Sequence, residues 1–115
     1  MTIRECYERS GSSFAEVERR LGSEIMVQRF AVRFLNDTSF PDLQAAVSGD
    51  DWEAAFRAAH TLKGVCLTLG FDRLYEASAD LTEQIRSRNM DIIEARFSWV
   101  SDEYRKLTDL LREVK

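Results

Sequence analysis

The sequence has one histidine, one proline, five glycines and two cysteines among its 115 residues. Cys6 and Cys66 lie far apart and outside any paired spacing, which excludes a disulfide framework and favours reduced thiols. One histidine cannot supply the several ligands that a metal or haem site in a helical bundle requires. We therefore expect no metal ion and no cofactor on this chain.

Basic runs, long apolar runs and phosphate-binding loops are also missing. The formal net charge is −4 and lysine and arginine do not cluster, so we expect no nucleic-acid partner. No stretch approaches the roughly 18 apolar residues that span a bilayer, and residues 1–18 lack a signal-peptide pattern. We expect a cytoplasmic protein without a membrane partner. Without a glycine-rich phosphate loop, we expect no ATP-dependent kinase activity of its own.

The sequence has many helix start and stop signals, whereas the alternating pattern of β-strands does not occur. Most predicted helices begin at a capping residue and end at a glycine or a polar turn. The predicted starts are Ser13 with Glu16, Ser23, Pro41, Asp50 with Glu53, Asp72, and Asp91 with Glu94. The predicted stops are Gly22, the break at 36–41, Gly49, Gly70 and the turn at 86–90.

Short turns between long amphipathic helices make sequential helices antiparallel. The pattern predicts an all-α fold, an up-down antiparallel four-helix bundle built mainly from residues 23–115. The N-terminal extension, residues 1–22, is expected to add one or two short helices packed against the bundle. No internal repeat or second domain is evident, so residues 1–115 are interpreted as a single domain.

The histidine lies in the predicted helix 50–70, which has two different faces. At about 100° per residue, the apolar residues that form its core stripe are Trp52, Ala55, Ala59, Leu62, Cys66 and Leu69. Cys66 is interpreted as a small buried hydrophobe rather than a nucleophile. A lone histidine is more often structural than functional, but His60 falls nearly opposite this stripe. We therefore expect its imidazole to be exposed.

The neighbours of His60 on the outer face suggest a chemistry. Lys63 is one turn away, where its ammonium can reach an anion on the imidazole. Gly64 costs about 0.5–1 kcal/mol in a helix and leaves bare backbone beside the ring. Phe56 and Leu67 add exposed apolar surface of the kind that partners dock on. Each of these residues alone also has an ordinary structural interpretation, such as a solvated lysine or a phenylalanine that packs on a neighbouring helix.

The stretch His60-Thr61-Leu62-Lys63-Gly64, followed by Gly70, resembles the H-x-L-K-G…G signature of histidine-containing phosphotransfer (HPt) domains. The approach SGDDWEAAFRAAHTLKG and the helix pattern from about 23 to 113 are similar to that family too. The resemblance implies a four-helix bundle whose surface histidine accepts a phosphoryl group from a receiver aspartyl-phosphate. The histidine would then pass the group to another receiver aspartate.

This resemblance implies roles for particular residues and partners. His60 is the phosphorylated nucleophile, suited to it by the reference histidine pKa of about 6.5. Lys63 stabilises phosphoryl charge and Gly64 gives clearance, while Mg²⁺ is expected on the partner receiver domain. Expected partners are response-regulator receiver domains and a hybrid sensor histidine kinase, bound by a monomer. The expected partner-binding residues are Glu53, Phe56, Arg57, Leu67 and Phe71.

Two features depart from the resemblance and leave alternatives open. Val65 and Cys66 replace the small residues that commonly follow the glycine. The stretch is also similar to the phosphorylated domain of chemotaxis kinases, where a second histidine and a glutamate support the substrate histidine. Those positions align with Ala79 and Thr82 here, and Glu83 is one residue off. The alternatives are a substrate domain of a chemotaxis-type kinase, a non-catalytic bundle (pseudo-HPt) that binds receivers, or an oligomer joined through Phe56 and Leu67.

Overall fold

A computed structural model describes residues 1–115 as seven α-helices and one 3₁₀ turn, with no strand. The predicted all-helical fold class is therefore confirmed. The helices are α1 (Ile3–Arg9), α2 (Phe14–Leu21), α3 (Glu24–Arg33), α4 (Ser39–Ser48), α5 (Trp52–Leu69), α6 (Asp72–Arg86) and α7 (Met90–Arg112), with the 3₁₀ turn Phe34–Asn36 between α3 and α4. No helix combines the length and the apolar character needed to cross a membrane.

Several predicted helix ends are confirmed. The side chains of Ser13 and Ser23 accept hydrogen bonds from backbone N–H groups three residues on, at the starts of α2 and α3. Gly22 and Gly70 end α2 and α5 with positive φ angles of 101° and 68°. Glycine adopts such angles without the steric cost that a Cβ brings, which explains why these helices end there.

Two predicted helix starts are wrong. The cap of α5 is Asp51, whose side chain accepts from the Ala54 N–H, and not Asp50. Asp50 has a left-handed φ of 54° and belongs to the turn that follows α4. The last helix begins at Met90 after Asn89, and no side chain caps it. The expected capping box from Asp91 therefore does not form, because Asp91 already lies within the helix.

Helix α1 has a start signal that the sequence reasoning overlooked. Thr2 and Glu5 form a reciprocal capping box, in which each side chain accepts from the other residue's backbone N–H. The helix buries Ile3, Cys6 and Tyr7 in the same hydrophobic core as the later helices. The N-terminal extension therefore contributes to the core rather than merely covering it.

Consecutive helices pack against each other from α4 to α7, and α5 lies between α4 and α6. An aromatic stack also joins the first of these helices to the last. The Phe40 ring of α4 lies 4.0 Å from the Tyr104 ring and 6.0 Å from the Phe97 ring of α7, measured between centroids. Because α4 and α6 pack against α5, one face of α5 lies in the core, whereas its opposite face is exposed to solvent.

The N-terminal helices close over the C-terminal end of α5. The buried Tyr7 hydroxyl donates to the Leu69 carbonyl over 2.6 Å, and Arg20 Nη1 donates to the Leu67 carbonyl over 2.9 Å. The last carbonyls of a helix lack the usual partner four residues on, so the Tyr7 bond satisfies a group that the end of α5 leaves open, and the Arg20 bond ties α2 to the same end. The chain's first 22 residues thereby fix the end of the helix that carries the histidine.

Candidate functional site

Helix α5 has the two faces that its spacing predicted. Ala55, Ala59, Leu62 and Cys66 are fully buried, and Trp52 is half-buried, whereas His60 is exposed. Burial raises the pKa of the Cys66 thiol, so the thiol stays protonated and inert, as expected of a core residue. The exposure predicted for His60 and the burial predicted for Cys66 are both confirmed.

The imidazole of His60 stacks against the ring of Phe56. The Phe56 ring, one turn earlier, lies 6.1 Å away between centroids at an interplanar angle of 11°. The nearby polar side chains are bonded elsewhere, since Arg57 donates to Glu53 and Thr68 donates to the Gly64 carbonyl. The ring is thus held on one flank by Phe56, and its nitrogens are free of protein hydrogen-bond partners.

Lys63 supplies an unpaired positive charge one turn after His60. It is half-buried, and its ammonium nitrogen forms no ion pair with any carboxylate. Glu83 of α6 is an acidic group close enough to interact with the Lys63 charge. That carboxylate, however, forms an ion pair with Arg86. The hydrogen bond from Arg86 lowers the pKa of Glu83, and the charges of Arg86 and Lys63 lower it further. The ammonium of Lys63 therefore remains available to another anion.

Gly64 leaves open space beside the imidazole. A Cβ built on this residue meets no atom within 4 Å outside its own helix, and the residue is exposed. The glycine is consequently not required by packing inside the protein. What its missing side chain provides is room on the outside of α5.

Four of the five predicted docking residues lie at or near the surface. The Leu67 side chain is 55% exposed, and Glu53 and Arg57 form an exposed ion pair of 3.2 Å. Phe56 is half-buried, with part of its ring packed against the core and part under the imidazole. These residues surround His60 on the outer face of α5.

The prediction that Phe71 binds a partner is wrong. Phe71 is 2% exposed, and its ring packs 5.2 Å from that of Phe34 and 5.8 Å from that of Tyr7, between centroids. It follows the turn at Gly70 and points inward because the N-terminal helices supply an aromatic pocket there. With only 2% of its surface exposed, Phe71 offers a partner almost no contact area.

The positions that would support the histidine in a chemotaxis-type substrate domain do not do so here. Thr82 is buried and donates to the Ser78 carbonyl over 2.6 Å, and Ala79 has no polar group. Glu83, the near neighbour, is engaged by Arg86. No side chain of α6 therefore forms a hydrogen bond with His60 in this structure.

Several shallow depressions mark the surface of the bundle, and one of them adjoins the Phe56 ring. This groove, of about 400 Å³, is lined by Trp52, Glu53, Phe56, Arg57, Ile85, Arg86 and Arg88. The sequence analysis missed Arg86 and Arg88, because the packing of α6 on α5 brings them there. Another depression, about 340 Å³, lies between the α1–α2 turn, α6 and α7, and His60 does not line it. No cluster of three or more side chains suited to a metal ion occurs in residues 1–115.

Comparison with known protein families identifies the family of the chain. A family model for the Hpt domain matches residues 35–115, which include α4 to α7 and His60. The chain belongs to the Hpt family. Membership implies phosphotransfer in two-component signalling, and Hpt domains interact with receiver domains and kinases. Helices α1 to α3 precede the matched region. No curated protein matches the chain, and no solved structure matches it either.

Proposed function

We propose that this Hpt domain is a phosphorelay intermediate that uses His60 as its phosphoryl acceptor and donor. The observation that carries the proposal is that the only histidine stands exposed on α5, with an unpaired ammonium one turn away. The lone pair of a ring nitrogen forms the N–P bond as the P–O bond to the receiver aspartate breaks, which releases that carboxylate. Transfer to a second receiver reverses these bond changes on another aspartate.

The surroundings of His60 suit this transfer. Phosphoryl transfer depends mainly on positioning and on stabilising the charge spread over the phosphoryl oxygens. The Phe56 ring orients the imidazole, Lys63 stabilises the charge from this side, and Gly64 leaves the path free. Any Mg²⁺ that assists is expected on the receiver, so this chain needs neither a metal nor a cofactor.

We further propose that α4 to α7 form an up-down antiparallel four-helix bundle within one domain that spans residues 1–115. Its support is the sequential packing of these helices and the brevity of their connections, 49–51, 70–71 and 87–89. The domain acts as a monomer in the cytoplasm, where its two buried thiols stay reduced. Receiver domains and a hybrid sensor kinase dock on the face formed by Glu53, Phe56, Arg57 and Leu67.

Replacing Gly64 by alanine should stabilise the protein and slow its reaction. Alanine gains about 0.5–1 kcal/mol of helix stability, because nothing obstructs its methyl group in the free protein. The same methyl occupies the approach to the imidazole and should slow transfer by roughly ten- to hundredfold through misplacement. Thermal unfolding and the rate of label transfer measure the two effects.

Thr68→Ala is the matched control for the glycine substitution. Thr68 is exposed one turn beyond Gly64, and alanine there should leave the transfer rate unchanged. If Gly64→Ala transfers phosphate at the wild-type rate, Gly64 has no clearance role.

Replacing Lys63 by alanine should slow transfer by about tenfold, the effect of a loss of about 1.4 kcal/mol of transition-state stabilisation. Affinity for the receiver should stay within about twofold, because the lysine acts on charge that develops on the phosphoryl group. Lys63→Arg keeps the charge and should retain most of the rate. A large loss of receiver binding in Lys63→Ala, with transfer unchanged at saturation, contradicts this role.

The proposed function is tested by mixing the protein with phosphorylated receiver domains from its own genome and measuring acid-labile label on the chain. We expect at least one receiver to label it. A protein that binds receivers but takes label from none of them would be the non-catalytic interaction bundle instead. The buried Thr82 and the apolar Ala79 weigh against the alternative that the chain is a direct substrate of a chemotaxis-type kinase.

A further inference from the structure

Arg20, from the N-terminal extension, lies at one end of the face that carries His60. Its Nη1 donates to the Leu67 carbonyl over 2.9 Å and its side chain is exposed. Asp72 lies near enough for the Arg20 charge to act on the pKa of its carboxyl, which burial raises overall, but the two residues form no ion pair. A guanidinium has five N–H donors in a rigid fork, so most of them remain free. Arg20 is thus an arginine held in place with its donors directed to solvent or to a partner.

The bond to α5 does not explain Arg20 as a structural residue alone. The Leu67 carbonyl already accepts from the Gly70 backbone N–H over 3.3 Å, and the Leu69 carbonyl accepts from Tyr7. Both carbonyls therefore have a hydrogen-bond partner without Arg20. The contact has another consequence, which is to restrict an otherwise mobile side chain to one place beside the exposed Leu67.

Arg20 is close enough to His60 to belong to one partner footprint. His60 and Leu67 are seven residues apart on one helix, which is about 10 Å along the axis and about 20° around it. A standard interface covers about 800 Å² on each partner, equivalent to a disc of about 16 Å radius. A domain centred on His60 therefore covers Gly64 and Leu67 and extends to the guanidinium at the far side of Leu67.

We propose that Arg20 is a docking residue, which binds a carboxylate at the rim of the receiver's phosphorylation site. The inference rests on the proposed function, since it names a contact of the same partner. A receiver that holds Mg²⁺ beside its phosphorylated aspartate does so through carboxylates, and the unpaired cations Lys63 and Arg20 flank Leu67 on this chain. Arginine suits a carboxylate because its fork donates two parallel hydrogen bonds.

The test compares Arg20→Glu with Arg19→Glu. Both arginines are exposed on α2 and take part in none of the ion pairs of the protein, so both substitutions change the net charge equally. The probe is the receiver domain that labels the wild-type chain, and its association rate and Kd are measured at low and high salt. Arg20→Glu should weaken binding by roughly tenfold at low salt, mainly through the association rate, and by less at high salt. Arg19→Glu should stay within about twofold, and Arg20→Lys should recover part of the loss.

A purely structural role of Arg20 gives a different result. In that case Arg20→Glu and Arg20→Lys lower the midpoint of thermal unfolding. The folded fraction of Arg20→Glu then binds the receiver with the same Kd as Arg19→Glu, and this result overturns the inference. Labelling of His60 at saturating receiver separates it from the parent proposal. If wild type is labelled but Arg20→Glu binds like Arg19→Glu, only the docking role fails, whereas a wild type that no receiver labels overturns both.

Discussion

Replacement of His60 by glutamine is expected to abolish phosphorylation of the chain and leave its fold unchanged. No other histidine is present to take over the reaction. The imidazole is exposed, and its side-chain contact is the stacked Phe56 ring. Exposed substitutions of this kind change stability by about 0.5 kcal/mol. Label on the chain after incubation with a phosphorylated receiver and the thermal unfolding midpoint measure the two halves of this prediction.

Thr61→Gln provides the matched control, because it places the same side chain at the next exposed position of α5. This variant should take label to the wild-type extent. Acid-labile label on His60→Gln would contradict the prediction and place the phosphoryl group on another residue. Loss of label together with loss of helical structure would instead assign His60 a structural role.

Gly70→Ala is expected to destabilise the protein by about 2–5 kcal/mol, the largest stability effect among these substitutions. Gly70 has a φ of 68°, and a Cβ added there would overlap Cγ2 of Val17. The left-handed angle costs an alanine about 1–2 kcal/mol, and overpacking a core adds about 1–3 kcal/mol. Val17 is 1% exposed and β-branched, so its side chain is too restricted to move aside. Chemical denaturation measures the loss.

Gly22→Ala separates the two contributions to that loss. Gly22 also has a positive φ, of 101°, but no atom lies within 4 Å of its built Cβ. It should cost only the backbone strain. In a Val17→Ala background, the cost of Gly70→Ala should fall toward that of Gly22→Ala, because the obstructing methyl is gone. If the two glycine substitutions cost the same in the wild-type protein, α2 does not pack closely on the end of α5.

The periodic features of α5 could be predicted from the sequence because they are local. A period of 3.6 residues places His60 opposite the Leu62–Cys66 side of the helix whatever packs against it. The same reasoning placed Gly64 and Leu67 on the outer face, where the structure has them. Helix ends at Gly22 and Gly70 were also predictable, since the required positive φ angles favour glycine.

What could not be predicted depends on contacts between distant parts of the chain. Phe71 follows a helix end, and its burial is decided by the rings of Tyr7 and Phe34, which no local pattern reveals. Arg20 and Arg86 reach the outer surface of α5 from α2 and α6 for the same reason. The missed start of α1 differs, because the capping pair Thr2 and Glu5 was present in the sequence.

The most direct test of the account follows one phosphoryl group through the chain. The wild-type protein is labelled by a phosphorylated receiver, separated from it, and mixed with a second receiver that has no other phosphate donor. We expect acid-labile label on His60. The label should then leave the chain and appear on the second receiver. The account is contradicted if receivers bind the chain and label never reaches it, or if the label resides on a residue other than His60.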